Sequence, residues 1–310
     1  MPAALLAALL FAISAICAYR SSAQIGGVEA NFWRIALATF CLALWANIFG
    51  GGLSGAAFPF FFMSGFCGIG LGDTGYFQAL PRLGSRRAVL LTQCFTPLFA
   101  ILIEWMWLGT KLTGVELFCV AVILTGVAIA LAPGDHAIIP PRQLWNGILF
   151  TAFAGFCSAL GAVLSRKAYF AAQDAGEFPD PGTTGYQRVL GGILIPAIIL
   201  IAVKSRSARR HGGVFEEKTF QVSREKWKRI WPWVLGNSLA GQTLGVTCVQ
   251  WALEKTPAGI VMAVVATTPV MLLPMTRIVE NEKIGIRSLA GAIIAVAGVI
   301  GLTFLHHRVS

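Results

Sequence analysis

Gly70 to Leu112 reads GLGDTGYFQALPRLGSRRAVLLTQCFTPLFAILIEWMWLGTKL, and much of it returns 172 residues later. At that offset Gln78 meets Gln250, Thr96-Pro97 meets Thr268-Pro269, Lys111 meets Lys283 and Gly126 meets Gly298, with no gap over about sixty residues. Most other positions agree in class, as Ala88-Val89-Leu90 does with Ile260-Val261-Met262. The pattern reads as an internal duplication, and a repeat settles the architecture before any single residue does.

Of the 310 residues 56% are hydrophobic and 12% charged, against roughly 25% charged in soluble domains. The hydrophobic residues gather into ten runs, near 3–19, 32–49, 57–80, 87–108, 114–132, 147–165, 187–203, 231–253, 257–279 and 286–304. Runs of ~20 residues at ~1.5 Å each cover a ~30 Å hydrocarbon layer. The alternation that a membrane barrel requires is absent from the sequence. The expectation is an all-α integral membrane protein with ten transmembrane helices. Its units are a first five-helix repeat over 1–133, a polar connector over 134–146 and a second five-helix repeat over 147–310. An odd number of crossings per repeat turns the second copy upside down, a construction of secondary transporters with the substrate site at the repeat interface.

The net charge of +10 sits in loops and helix ends, and reads as topology and contact with the lipid bilayer rather than nucleic-acid binding. Loops after odd-numbered helices, with their flanks, hold three-quarters of the 24 lysines and arginines. By that count the odd loops are cytoplasmic. The segment Ser223 to Trp233 reads as a short helix at headgroup level anchored by Trp227, Trp231 and Trp233, or as an ordinary basic juxtamembrane stretch. Lys167 to Thr184 reads as a long acidic loop. The apolar N-terminus has no preceding positive charge, so it reads as a retained first helix rather than a signal peptide. Seven cysteines fall singly inside apolar runs and four histidines lie outside them, so neither a disulfide framework, a metal site nor a cofactor is expected.

Gly70-Leu71-Gly72-Asp73-Thr74-Gly75 spells GxGxxG, but that fingerprint needs a strand before it and a helix N-terminus after it. Inside an apolar helix its glycines read as packing, with Gly68, Gly72, Gly241 and Gly245 at GxxxG spacing. Asp73 lies near the middle of the third run; an intramembrane carboxylate is a functional candidate or a hydrogen-bonded structural group. Pro97 and Pro269, each after a threonine, fall mid-helix and free the carbonyls of Gln93 and Val265. They are hinge candidates, with the ordinary membrane proline as the alternative. Tyr76, Gln78, Gln93, Asn237, Gln242, Gln250 and Trp251 join Asp73 as candidate substrate-cavity residues; each alone is as compatible with interhelical hydrogen bonding. Glu104 reads as reaching the headgroups. No catalytic cluster is legible.

Leu71 through Leu80, Thr96-Pro97-Leu98-Phe99-Ala100, Trp251-Ala252-Leu253, Thr256-Pro257-Ala258-Gly259 and Thr268-Pro269-Val270 resemble the ten-helix members of the drug/metabolite transporter superfamily built from two EamA domains. Glu282-Lys283-Ile284 is similar to that family's signature at the end of a fourth helix, whereas the first half has Thr110-Lys111-Leu112. The resemblance implies a central cavity between the halves and both termini in the cytoplasm, opposite to the charge count. The function expected is a secondary transporter in the cytoplasmic membrane, exporting a small metabolite such as an amino acid by alternating access, with protons as coupling ion or, alternatively, by facilitated diffusion. A membrane enzyme or a scaffold without transport is the alternative.

Overall fold

The structure is a computed structural model that describes residues 1–83, 85–131, 140–210, 224–272 and 286–309. Helices account for nearly all of them, numbered here by the expected passes. α1 is Pro2–Ile25, α2 Gly27–Ile48, α4 Ser85–Leu108, α5 Gly114–Leu131, α6 Pro141–Asp174 and α10 Ile286–Val309. α3 is assembled from Phe58–Gly65, a π-helical turn Phe66–Leu71 and Gly72–Leu83. α7 joins Pro181–Gly192 to Leu194–Arg210. α8 repeats the plan of α3, with Arg224–Asn237, a π turn Ser238–Gly245 and Val246–Lys255. α9 begins with Ala258–Val265 and extends as an apolar stretch to Leu272; the end of the ninth run, from 273, lies outside the described residues.

Among the described residues seven helices are long and apolar enough to cross a bilayer. The chain is an all-α, multi-pass membrane protein. Its packing is inverted relative to a soluble domain. Alanines 4, 7, 8, 12 and 38 are fully enclosed, while Phe40, Met106, Phe118, Leu149, Ile201 and Ile293 are more than 45% exposed on the outside. Lipid tails are as apolar as leucine, so small residues gain most at helix contacts and large ones face lipid.

The two repeats exchange contacts in matching pairs of helices. α3 packs on α6 and α7 of the other repeat, and α8 packs on α1 and α2, while α4 meets α9 and α5 meets α10. The glycines explain how close these approaches are. A Cβ on Gly126 would stand 2.4 Å from the Ala295 nitrogen and one on Gly291 2.5 Å from the Gly126 carbonyl oxygen. Gly298, the repeat partner of Gly126, packs in turn on Cys119 and Ile123. The GxxxG glycines also serve as packing. Gly68 and Gly72 lie against Gly161 and Ser158 of α6, and Gly241 and Gly245 against Ser14 and Phe11 of α1. α1 and α2 are separated by Gly26 alone, whose φ of 81° lies in the left-handed region that glycine enters without a steric penalty.

Two local expectations change. The acidic loop after Lys167 is much shorter than expected, because α6 stays helical to Asp174 and α7 begins at Pro181. Asp180 is the N-cap, its carboxylate accepting from the Gly182 and Thr183 amides at 2.9 and 3.1 Å, with proline next at the position where its missing N–H is harmless. The basic segment from Arg224 is the first part of α8 rather than a separate interfacial helix. Its tryptophans do form an aromatic patch: Trp227 contacts Trp33 at 5.6 Å and Trp231 at 6.4 Å, and Arg20 stacks on Trp233 at 5.0 Å.

Candidate functional site

Four helices bring a buried polar network together where the first repeat's α3 enters the second repeat. The network centres on Arg188, 8% exposed, the eighth residue of α7 and near the start of its apolar run. Its Nη1 donates to Ser165 Oγ of α6 at 2.9 Å and reaches Gln250 Oε1 of α8 at 3.5 Å. Ser64 of α3 donates to the Gly161 carbonyl at 2.6 Å and lies 2.7 Å from Ser165 Oγ. One hydroxyl has one proton, so Ser165 donates to Ser64 while accepting from Arg188. The helices meet here because side chains are missing: a Cβ on Gly65 would stand 1.6 Å from the Arg188 carbonyl oxygen, and one on Gly68 3.1 Å from Nη2. Arg188 Nε and Gln250 Nε2 are buried without a hydrogen-bond partner.

A second polar cluster ties the repeats together at the face carrying the α2–α3, α4–α5, α6–α7 and α8–α9 connections. Arg166 Nε of α6 pairs with Glu104 Oε1 of α4 at 2.7 Å, and its Nη1 donates to the Leu253 and Thr256 carbonyls at 3.0 and 2.9 Å. Glu104 Oε2 accepts the Gly259 amide at 3.3 Å. The cation thus caps the C-terminus of α8 and the anion the N-terminus of α9, each at the dipole end that favours it. Glu104 is 2% exposed, so it does not reach the headgroups as expected; its partner, 62 residues on, is invisible in the sequence. Nearby, Trp45 Nε1 donates to Asp180 Oδ1 at 2.8 Å, the Ala56 amide to Glu177 Oε2 at 3.0 Å, and Gln187 Nε2 to the Gly52 and Ser54 carbonyls at 3.1 and 3.2 Å. These bonds, from the end of α2 and the α2–α3 connection, all cross from one repeat to the other.

The other candidate residues scatter. Asp73, just past the π turn of α3, pairs with Arg34 of α2 at 3.0 Å, and Arg34 Nε also donates to Asn31 at 2.9 Å. Tyr76 lies half-buried a turn further on, and Gln93 half-buried on α4. Asn237 accepts from Ser14 at 2.7 Å, joining α8 to α1. Gln242, in the second π turn, is 7% exposed and its Oε1 has no partner. Gln78 is exposed, holds Arg82 at 3.1 Å and lines an open cleft of about 660 Å³ with Pro140, Arg142 and Gln143. Trp251 is 54% exposed, turned outward although Gln250 beside it is fully enclosed. Arg188, Ser165, Ser64 and Arg166 were not singled out by sequence reasoning as site residues. An arginine inside an apolar run was the available signal.

The two prolines are buried but not alike. α4 is continuous through Pro97, whereas α9 is interrupted by a turn at Ala266 and Thr267, just before Pro269. The Val265 carbonyl freed by Pro269 accepts the Thr268 hydroxyl at 2.6 Å. Thr96 instead donates to Thr92 at 2.8 Å.

No curated protein matches the chain. A solved crystal structure of another protein has the same fold: it matches with a TM-score of 0.73 and 15% identity over 99% of this chain and 97% of its own. The sequence profile of the EamA-like transporter family matches residues 1–132 and again 145–304. With both repeats covered, the chain belongs to the EamA-like transporter family.

Proposed function

We propose that the chain is a secondary transporter of the drug/metabolite type, seated in the cytoplasmic membrane, that exports a small metabolite such as an amino acid or a related compound by alternating access between its two repeats. The observation that carries this reading is the seal at one face. There the repeats are held together by hydrogen bonds and one ion pair, Glu104 with Arg166, rather than by interlocked apolar side chains alone. Polar bonds of this kind can be exchanged for water when a path opens. The π turns at Phe66–Leu71 and Ser238–Gly245 support it, since they begin at equivalent residues of the two copies and π turns recur at functional sites.

Protons are the coupling ion in this reading, with Asp73 as the group that binds and releases them against Arg34. The units are those of the sequence, 1–133 and 147–310 about a connector. Purified protein in liposomes, and cells overproducing it, should change the solute content of lumen and medium in an untargeted metabolite screen; no flux of any solute would end the transport reading. Reporter fusions to the C-terminus decide which face is cytoplasmic.

A further inference from the structure

Among the described residues, Arg34, Arg166 and Arg188 reach into contacts between helices, and they are not treated alike. Arg34 has Asp73 and Arg166 has Glu104. Arg188, as enclosed as Arg166 at 8% exposed, has no carboxylate within ion-pair distance among the described residues, and its neighbours Ser165, Ser64 and Gln250 are neutral. A buried guanidinium without a counter-ion is strongly unfavourable, and arginine has a planar fork that matches a carboxylate two bonds at a time. Two donors are also left over: Arg188 Nε and Gln250 Nε2, both buried and both without a partner. An oxyanion seated between them would take these bonds and neutralise the cation.

We propose that Arg188, with Gln250, binds a carboxylate of the transported solute. The inference rests on the transport reading and narrows it to solutes that carry such a group. Charge selects the carboxylate over a phosphate: the network offers one positive charge, a carboxylate brings one negative charge, and a phosphate monoester brings about −1.5 to −2 at neutral pH. The site draws α3 from one repeat and α6, α7 and α8 from the other. Both binding residues belong to the second repeat, so a bound carboxylate would sit in one body, at its contact with α3 of the other.

The test uses the purified full-length protein in detergent, melted while its tryptophan fluorescence is followed. Sodium acetate, lactate and glutamate are compared with the corresponding carboxamides and with inorganic phosphate at equal ionic strength. A carboxylate present at about tenfold its dissociation constant should raise the midpoint by roughly 2–3 °C, and the amides should not. Arg188→Gln should remove the response. Because that variant is at risk of misfolding, Gln250→Glu is the second arm. It places a built-in carboxylate beside the guanidinium, so it should melt higher than the parent without ligand and no longer respond to added carboxylates. No response to any of the three carboxylates, an equal response to their amides, stabilisation by phosphate alone, or a full response in Gln250→Glu each overturns the proposal. The transport reading fails separately: it falls if the flux screen is empty even though carboxylates bind, and it stands if a neutral solute is moved while carboxylates do nothing.

Discussion

Glu104 and Arg166 form a 2.7 Å ion pair between α4 and α6, and each also caps the end of a different helix at the α8–α9 turn. Removing one charge leaves the other buried. Glu104→Gln should therefore destabilise the protein by about 3–5 kcal/mol, while Glu104→Met combined with Arg166→Leu should recover much of that loss. Thermal melts of the parent and these two variants check this, and a Glu104→Gln protein that melts with the parent would show the pair to be dispensable.

Asp180 gives a pH signature outside the membrane spans. Burial alone would raise its carboxyl, but hydrogen bonds from the Thr183 hydroxyl, the Trp45 indole and the Thr183 and Gly182 amides outweigh it and hold the group below the usual carboxylate range. A pKa depressed on folding adds stability above the unfolded value, ~3.9, and that stability disappears as the pH falls through the folded value. The parent midpoint should drop as the pH is lowered below about 4, and Asp180→Asn, which cannot titrate, should drop less. Asp180→Ala should lose about 1 kcal/mol at neutral pH through the missing cap. Equal pH slopes for parent and Asp180→Asn would remove the carboxylate from the account.

Gly126 is held against backbone, so even one methyl is too many. Gly126→Ala should separate α5 from α10 and destabilise by about 1–3 kcal/mol. Gly114→Ala, at a glycine with nothing within 4 Å of the added carbon, should melt with the parent. Equal losses in both variants would mean that the α5–α10 contact is looser than its glycines imply.

Asp73 is tested by Asp73→Asn in liposomes. Transport driven by a pH gradient should be lost while exchange of solute against solute persists and the melting midpoint moves little. Unaltered pH-driven transport would leave the Asp73–Arg34 pair as a strut between α2 and α3.

The architecture was readable because it depends on quantities a sequence states directly. Run length against bilayer thickness gives the helices, and the repeat of Thr96-Pro97 at Thr268-Pro269 gives the plan. Short-range signals are harder to read where longer ones surround them. Asp180-Pro181 is a two-residue helix start inside an acidic, turn-rich stretch, and Arg224 to Trp233 continues a helix whose total length, roughly 48 Å at ~1.5 Å per residue, exceeds the ~30 Å core. The candidate site was the least legible part. Arg188 stood in plain view within an apolar run, but Ser64 and Ser165 have no unusual sequence context, and their meeting depends on Gly65, Gly68 and Gly161 letting α3, α6 and α7 close up. Equivalent prolines also do not imply equivalent bends. Pro97 sits in an unbroken helix, and only Pro269 follows a break.

Each π turn wraps one residue more than an α-helical path of the same rise would hold. That surplus is slack, and slack in a helix can migrate: moving it one turn along rotates the intervening segment by about 100° and shifts it by ~1.5 Å without breaking the chain's hydrogen bonding elsewhere. α3 and α8 each store one such surplus, beginning at equivalent residues, beside Arg188 in one copy and around Gln242 in the other. Two matched reserves of this kind would let both halves re-aim their polar side chains by the same small screw motion.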